Sequence, residues 1–561
     1  VSESRRPLRR ASGARSRGAA SARGATRTIL GALLVAAVLL RLWNLDHGLP
    51  WAFNPDEELH FVPVAMNYFE AANPGYFENP PALSYLLHAV FRLRFAAGYP
   101  FDSGERLRLG FLDDPRAALL TARVVVALIG AVAVACVYWV GRRFYDARVG
   151  LVAAALVGFA FLPTYYSKQA LNDVATLVPV SLALAGSLLA YQRGRALDWA
   201  LTGAAMGAAC ATKYTAGAVA LSAVGAALMR WRVGRDSATR GVRMLVVAGI
   251  GFAVAFLVMN PFSVLDFEEF KSQVTGQRAQ AATQKLGQVE ASGWLYYASS
   301  LTWGLGWLPA LAAVVGGVLA LRADRARALL LLLFPLALLL YLGSEGRYFA
   351  RWLLPAYPPL CILAAYAAVR GVDALRVSRR RRGLVLAALT AALVAQGLSA
   401  SVRVSAALGR TDTRAQARSW LIGHVPAGTG LVVEPFLPQG FLTVGGRTAP
   451  ERYVRYRIDR PFQAYEKRLE PAKIDHYRRF GYCVVVTGSH QRELGLRAGL
   501  AGARAYYQRL DRESVLLGRF SPYYAHQGPV EFSHDFSFNW YPTAYERPGP
   551  LIDVRKLRDC S

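Results

Sequence analysis

Apolar runs near 20 residues recur along the chain, divided by short polar segments rich in arginine. A helix of about 20 apolar residues spans the hydrocarbon core of a bilayer. The runs fall near 28–45, 117–141, 149–166, 174–192, 197–212, 214–229, 244–262, 295–320, 328–343, 352–369 and 383–401. The pattern therefore predicts about eleven membrane spans. After residue 401 the pattern changes. Short strand-like runs (Gly430–Val433, 482–487, 514–517) alternate with polar helical stretches such as 413–422. A small α/β domain fits this alternation. The expected architecture is mainly α: a polytopic transmembrane helical bundle followed by a small extracytoplasmic α/β domain, with no internal repeat.

The arginines set the orientation. With the N-terminus inside, Arg142, Arg143 and Arg148, Arg193 and Arg195, the segment 230–243, Arg322, Arg325 and Arg327, and the segment 370–382 all face the cytoplasm. These loops and the N-terminal tail carry most of the formal net charge of +28. The pI of about 10.2 is thus a topology signal and not a nucleic-acid footprint. Residues 1–27 mix arginine with Ser, Gly and Ala and lack apolar periodicity, which predicts a disordered cytoplasmic tail. The first run is followed by Arg41, Trp43 and Asn44 where a cleavage site would have small residues, so it reads as an uncleaved signal anchor. Segments 46–116, 263–294 and 344–351 then lie outside, with 28–401 as the membrane domain and 402–561 as the outer domain. The composition, 54% hydrophobic, agrees with a multi-pass protein of the cell membrane. Five cysteines form no CxxC pair. Cys136, Cys210 and Cys361 sit in apolar runs, while Cys483 and Cys560 could pair near the C-terminal end.

Candidate chemistry gathers on the outer side. Asn54-Pro55-Asp56-Glu57 is a good helix start, with Asn as cap, Pro at the first position and acids at the positive end of the dipole. Glu57 is the acid that capping explains best. Three acids in a row beside a membrane are nevertheless costly without a task. Glu78 follows on the same side, before Pro80-Pro81, and His60 lies four residues after Asp56. His60 and Glu78 are candidate ligands for a divalent metal ion, although a His at such a surface is also explained by ordinary hydrogen bonding. The next outer turn, 165–173, holds Lys168 and Asp173. Asp173 is either a helix cap or a second carboxylate at the same site. Lys213 interrupts an apolar hairpin, where a cation has to snorkel or pair with an anion. Arg347, Tyr348 and Arg351 break the inside bias of arginine, and guanidinium groups bind phosphate bidentately. The alternative is a simple pair with Glu345. The segment 262–292 reads as an amphipathic interfacial helix that shapes an acceptor entrance or only connects two spans.

These residues resemble a known family. The acidic pair Asp56-Glu57 after the first span resembles the Asp-Glu motif of membrane-embedded GT-C glycosyltransferases, closest to glycosyltransferase family 39, the protein O-mannosyltransferases and the aminoarabinose transferase type. Phe77-Glu78-Asn79-Pro80-Pro81, Ala170-Leu171-Asn172-Asp173, and Arg347-Tyr348-Phe349 to Leu353-Leu354-Pro355 resemble further motifs of that family, in the same order. The resemblance covers roughly 29–401 and implies a polyprenyl-phosphate sugar donor, inverting transfer at the outer membrane face, and a protein, lipid or glycan hydroxyl as acceptor. It implies Asp56 as general base, Glu57 and Glu78 as supporting acids with Glu78 at any metal, and Asp173 at the same cavity. Lys213, Arg347 and Arg351 would hold the donor phosphate, with Lys168 and Tyr348 as further substrate-binding residues. Asn79 departs from the aminoarabinose transferases, which carry Lys there, so that substrate does not transfer. A lipid-linked sugar flippase is the main alternative, and a non-catalytic relative of the same fold is another.

Overall fold

The computed structural model describes the chain except for residues 1–7, 96–103, 285–287, 289–291, 435–442, 445–452, 455–456, 460–468, 531–541 and 561. The chain has the helical membrane bundle expected, joined to a small sheet domain. Among the described residues, eight helices are long and apolar enough to cross a bilayer: Gly24–Leu42, Arg116–Phe144, Asn172–Arg193, Ala238–Met259, Gly293–Ala323, Arg325–Ser344, Ala350–Asp373 and Arg379–His424. The remaining expected spans appear as shorter pieces. Ala147–Phe159 ends where Ala160 turns extended, with ψ 140°. Ala196–Thr212 stops at Lys213, and a 3₁₀ turn, Tyr214–Val219, precedes Ala220–Arg232. The first helix runs Leu8–Leu42, so the tail expected to be disordered is helical from residue 8. Alanine and arginine are strong helix formers, and a helix nucleated in an apolar run propagates outward cheaply.

Two glycines let the bundle close. A Cβ on Gly203 would lie 1.8 Å from the Ala248 carbonyl oxygen, and one on Gly207 2.2 Å from that of Phe252. Ala196–Thr212 therefore packs on Ala238–Met259 backbone to backbone, the close approach that small residues four apart allow in membranes. The opposite face of Ala238–Met259 exposes Val242, Val246, Ile250, Val254 and Val258, a stripe at i+4 spacing suited to lipid.

Among the described residues the C-terminal domain holds seven strands: β1 (Gly430–Val433), β2 (Thr443–Val444), β3 (Tyr453–Val454), β4 (Arg457–Asp459), β5 (Val484–Gly488), β6 (Ser514–Phe520) and β7 (Ile552–Leu557). Five form one sheet in the order β4-β1-β5-β7-β6. β1 is parallel to β4 and β5, and β7 is antiparallel to β5 and β6. Side chains alternate between the two faces, as the strand period requires. Leu431, Val433, Val484 and Val486 pack under helix Thr413–His424, while Val432 and Val485 face Tyr477, Tyr506 and Tyr507. Cys483 and Cys560 form a disulfide with Cα atoms 5.4 Å apart, tying β5 to the end of the chain.

The two domains meet behind the first outer loop. Trp51 and Phe53 pack against the sheet core, with the Arg414 guanidinium 3.8 Å from the Phe53 ring centre and Arg418 4.8 Å from that of Trp51. The sheet domain thus buttresses the segment leading into Asn54 and Asp56.

Candidate active site

A helix starts at Pro55 and opens at once into a π turn, Glu57–Phe61. Asn54 caps it: its Oδ1 accepts the Asp56 N–H at 3.0 Å. The Asn54 amide also donates to Gln169, fastening the loop after the first helix to the turn at 165–173. Neighbours on a helix project about 100° apart. Asp56 therefore faces a cavity while Glu57 turns into the protein.

That cavity has a volume of about 280 Å³. It forms where six separate segments meet, and five of them contribute Asp56, Glu78, Asp173, Lys213, Arg347 and Arg351. Four of these make an alternating chain of charge. Lys213 is bonded to Asp173, Arg351 stands 3.7 Å from the other oxygen of Asp173, and Arg351 also donates to Asp56. Asp173 is almost fully buried, with 3% side-chain exposure, whereas Asp56 keeps 34% and opens to the cavity. A buried carboxylate is tolerated only when paired, and here two cations share the task. Arg351 also lies over the Phe349 ring, 5.1 Å from its centre.

The opposite wall comes from loop 73–81 and the helix Phe267–Ala282. They are sewn together: Gln273 accepts the Phe77 N–H at 2.6 Å and donates to the Gly75 carbonyl at 3.2 Å, and Asn73 donates to Asp266 at 2.7 Å. Tyr214 donates to the Phe77 carbonyl at 3.1 Å. The helix presents Gln277 and Gln280 to the cavity, with Gln280 Oε1 3.5 Å from Arg347 Nη1. Tyr76 is stacked on His60 at 4.7 Å and accepts from Asn79 at 2.7 Å. Burial pushes the Tyr76 hydroxyl well above the usual phenol range, so it stays a neutral hydrogen-bonding group.

Three candidate residues lie elsewhere. Glu57 is 1% exposed and forms a bidentate pair with Arg123, both contacts at 2.7 Å. Its Oε1 also accepts the Ala170 N–H at 3.0 Å, and Arg123 donates to the carbonyls of Leu45 at 2.9 Å and His47 at 2.7 Å. Glu57 is therefore the hub of three segments, in place of the capping role that its sequence position suggests. Lys168 turns away from the cavity and donates to the carbonyls of Leu40 at 2.7 Å, Arg41 at 3.2 Å and Trp43 at 2.6 Å. A helix leaves its last carbonyls unpaired, and a cation there satisfies them. Tyr348 is buried against Tyr296, 4.5 Å between ring centres, and lies outside the cavity lining.

His60 and Glu78 both line the cavity, but among the described residues no group of three His, Cys, Asp or Glu could hold a metal ion. Sequence reasoning overlooked Arg123, because an arginine inside an apolar run shows no partner at a distance of 66 residues. It also overlooked Tyr76, Gln277 and Gln280. The two glutamines carried one signal, the polar face of the amphipathic segment. Lys285 and Leu286 of that segment lie outside the described residues.

Residues 117–263 match the family model described as dolichyl-phosphate-mannose-protein mannosyltransferase. The matched stretch includes Asp173 and Lys213 of the cavity. No curated protein matches the chain. Among solved structures, the oligosaccharyltransferase AglB from Archaeoglobus fulgidus, in complex with an inhibitory peptide and a dolichol-phosphate, aligns with TM-score 0.54 and 12% identity, covering 89% of this chain and 73% of that one. The oligosaccharyltransferase of the same organism in complex with Zn and sulfate aligns with TM-score 0.50 and 14% identity, covering 89% and 72%. ArnT from Cupriavidus metallidurans, bound to undecaprenyl phosphate, aligns with TM-score 0.47 and 16% identity, covering 95% and 98%. The chain thus has a GT-C-type fold and is similar to membrane glycosyltransferases.

Proposed function

We propose that the chain is a membrane glycosyltransferase that moves a sugar from a polyprenyl-phosphate donor to an acceptor hydroxyl, with inversion, using Asp56 as general base. The observation that carries this reading is the charge chain from Lys213 through Asp173 and Arg351 to Asp56, gathered from separate segments around one cavity. The acceptor oxygen attacks the anomeric carbon as the bond from that carbon to the phosphate oxygen breaks. The acceptor proton passes to the Asp56 carboxylate, and the bonding pair leaves with the phosphate. Ion pairing with Arg351 orients the Asp56 carboxylate, so it can accept a proton from a bound hydroxyl. The departing phosphate gains a negative charge, which cations stabilise most where water is excluded. Lys213 and Arg347 line the same cavity and supply that charge. Glu78 and the neutral groups Tyr76, Gln277 and Gln280 are placed to orient sugar hydroxyls.

The arginine-rich loops support a cytoplasmic N-terminus, with the cavity and the sheet domain on the outer face. The transferase family match and the fold shared with AglB favour transfer over flipping. The test is to incubate the purified protein in lipid with a panel of polyprenyl-phosphate sugars and candidate acceptors, reading products by mass. The reading predicts a sugar-acceptor adduct and free polyprenyl phosphate. Donor moved across the bilayer without cleavage would overturn it in favour of the flippase.

A further inference from the structure

A second cavity, of about 320 Å³, lies in the outer domain. Its walls gather the carboxyl end of β5 (Thr487 and Gly488), the start of helix Ser489–Arg497, Arg519 near the end of β6, and Leu551 and Asp553 at the start of β7.

The lining chemistry narrows the ligand. Tyr523 and Tyr545 stand edge to face, 5.0 Å between ring centres, and a β-bridge between the two residues fixes their backbones. Tyr545 is buried, so Tyr523 offers the ring surface. Arg519 and Asp553 form a bidentate pair at 2.6 and 2.8 Å across from them. The charges cancel: Arg492 and Arg519 are matched by Glu493 and Asp553 within the lining, and Arg492 is also within 3.2 Å of Asp511. A phosphate would find its counter-charge already used. The edge strand β6 contributes only Arg519 to the lining, and that side chain is held by Asp553. A flat aromatic face beside fixed donors and acceptors of balanced charge suits a neutral polyhydroxyl compound.

His490 lines this cavity and also a narrow crevice of about 40 Å³ whose walls include Asn54 and Glu57. Asn54 in turn lines the catalytic cavity. The second cavity is therefore separated from the first by little more than the junction between the domains.

Resting on the transfer reaction proposed above, we propose that this cavity is a glycan-binding subsite and that the acceptor is a neutral oligosaccharide held there while its end reaches Asp56. The full-length Asp56→Asn protein in lipid nanodiscs, which does not consume the probe, is titrated with neutral linear tetrasaccharides of mannose, glucose, galactose and arabinose. Inorganic phosphate and a Ser/Thr-rich hexapeptide are titrated in parallel. At least one tetrasaccharide is expected to bind saturably, and Tyr523→Ala and Arg519→Gln should each weaken it by about tenfold or more. Tyr523→Phe keeps the ring and should retain binding, which separates loss of the platform from loss of the fold. Three results would overturn the proposal: no tetrasaccharide binding by folded protein, binding indifferent to both substitutions, or phosphate or peptide binding that the same substitutions abolish. Intact glycan binding in a wild-type protein that transfers no sugar would sink the transferase reading and leave this site standing.

Discussion

Asp56 and Glu57 are adjacent in the chain and chemically alike, yet the fold gives them opposite surroundings. Asp56 opens to a cavity and shares one cation, Arg351, with a second carboxylate. Glu57 is sealed beneath it with a guanidinium of its own and a backbone N–H. A carboxylate whose cation is shared and whose face is open can exchange partners with a substrate. One held by three hydrogen bonds in the interior is suited to holding structure. The two environments are set by the helix rotation between two neighbours, and the π turn that begins at Glu57 is part of that setting.

The comparison can be broken most severely at Arg123. Replacing it with leucine strands Glu57 as an unpaired buried charge and should cost about 3–5 kcal/mol of stability. Thermal unfolding of the protein in lipid nanodiscs would register this as a clear loss. An unchanged unfolding temperature would mean that Glu57 has another partner.

Glu434 sharpens the comparison, as a buried carboxylate bonded to neutral groups. It accepts from the Gly488 N–H at 3.0 Å and the Tyr507 hydroxyl at 2.8 Å. Burial pushes its pKa up to about 7. Between the unfolded value, near 4.5, and about 7 the folded state holds a proton that the unfolded state releases. Stability therefore falls as pH rises through that window, by up to about 3 kcal/mol in total. Glu434→Gln should flatten the profile between pH 4.5 and 7, as read by denaturant titration at several pH values. A slope that survives the substitution would assign the effect to another group.

The smallest expected effect belongs to the open side. Lys213→Met leaves Asp173 with Arg351 as its cation and removes one charge from the phosphate end of the cavity. Donor affinity should fall by about ten- to a hundredfold, measured as the concentration dependence of transfer, with unfolding temperature nearly unchanged. A large loss of stability with unaltered donor dependence would place Lys213 with the structural pairs.

Much of the fold is legible in the sequence, because lipid imposes a strict length and polarity on each span and arginine placement marks its ends. The strands of the outer domain are legible for a similar reason, since Leu431, Val433, Val484 and Val486 alternate with residues of the other face. Sidedness alone brings Asp56, Glu78, Asp173, Lys213, Arg347 and Arg351 into one group, and all six line one cavity. Direction within a turn is harder to read. Lys168 is five residues from Asp173 but points back at the carbonyls ending the first helix. Tyr348 lies between the cavity residues Arg347 and Phe349 but packs inward. These orientations depend on helix phase and on partners 52 to 128 residues away, which a one-dimensional pattern does not carry. The outer domain's part in bracing Trp51 and Phe53 is hidden for the same reason.

The central claim is that Asp56 reacts and Glu57 holds. It is tested most directly by comparing Asp56→Asn with Glu57→Gln in one assay of sugar transfer from a polyprenyl-phosphate donor, with unfolding temperature and donor binding read on the same preparations. Asp56→Asn should lower the transfer rate by about 10²- to 10⁴-fold while folding and donor binding stay near wild type. Glu57→Gln should lose stability first, and lose transfer only in proportion to the protein that unfolds. Wild-type transfer by Asp56→Asn would contradict the account, as would a fully stable Glu57→Gln protein that has lost its chemistry.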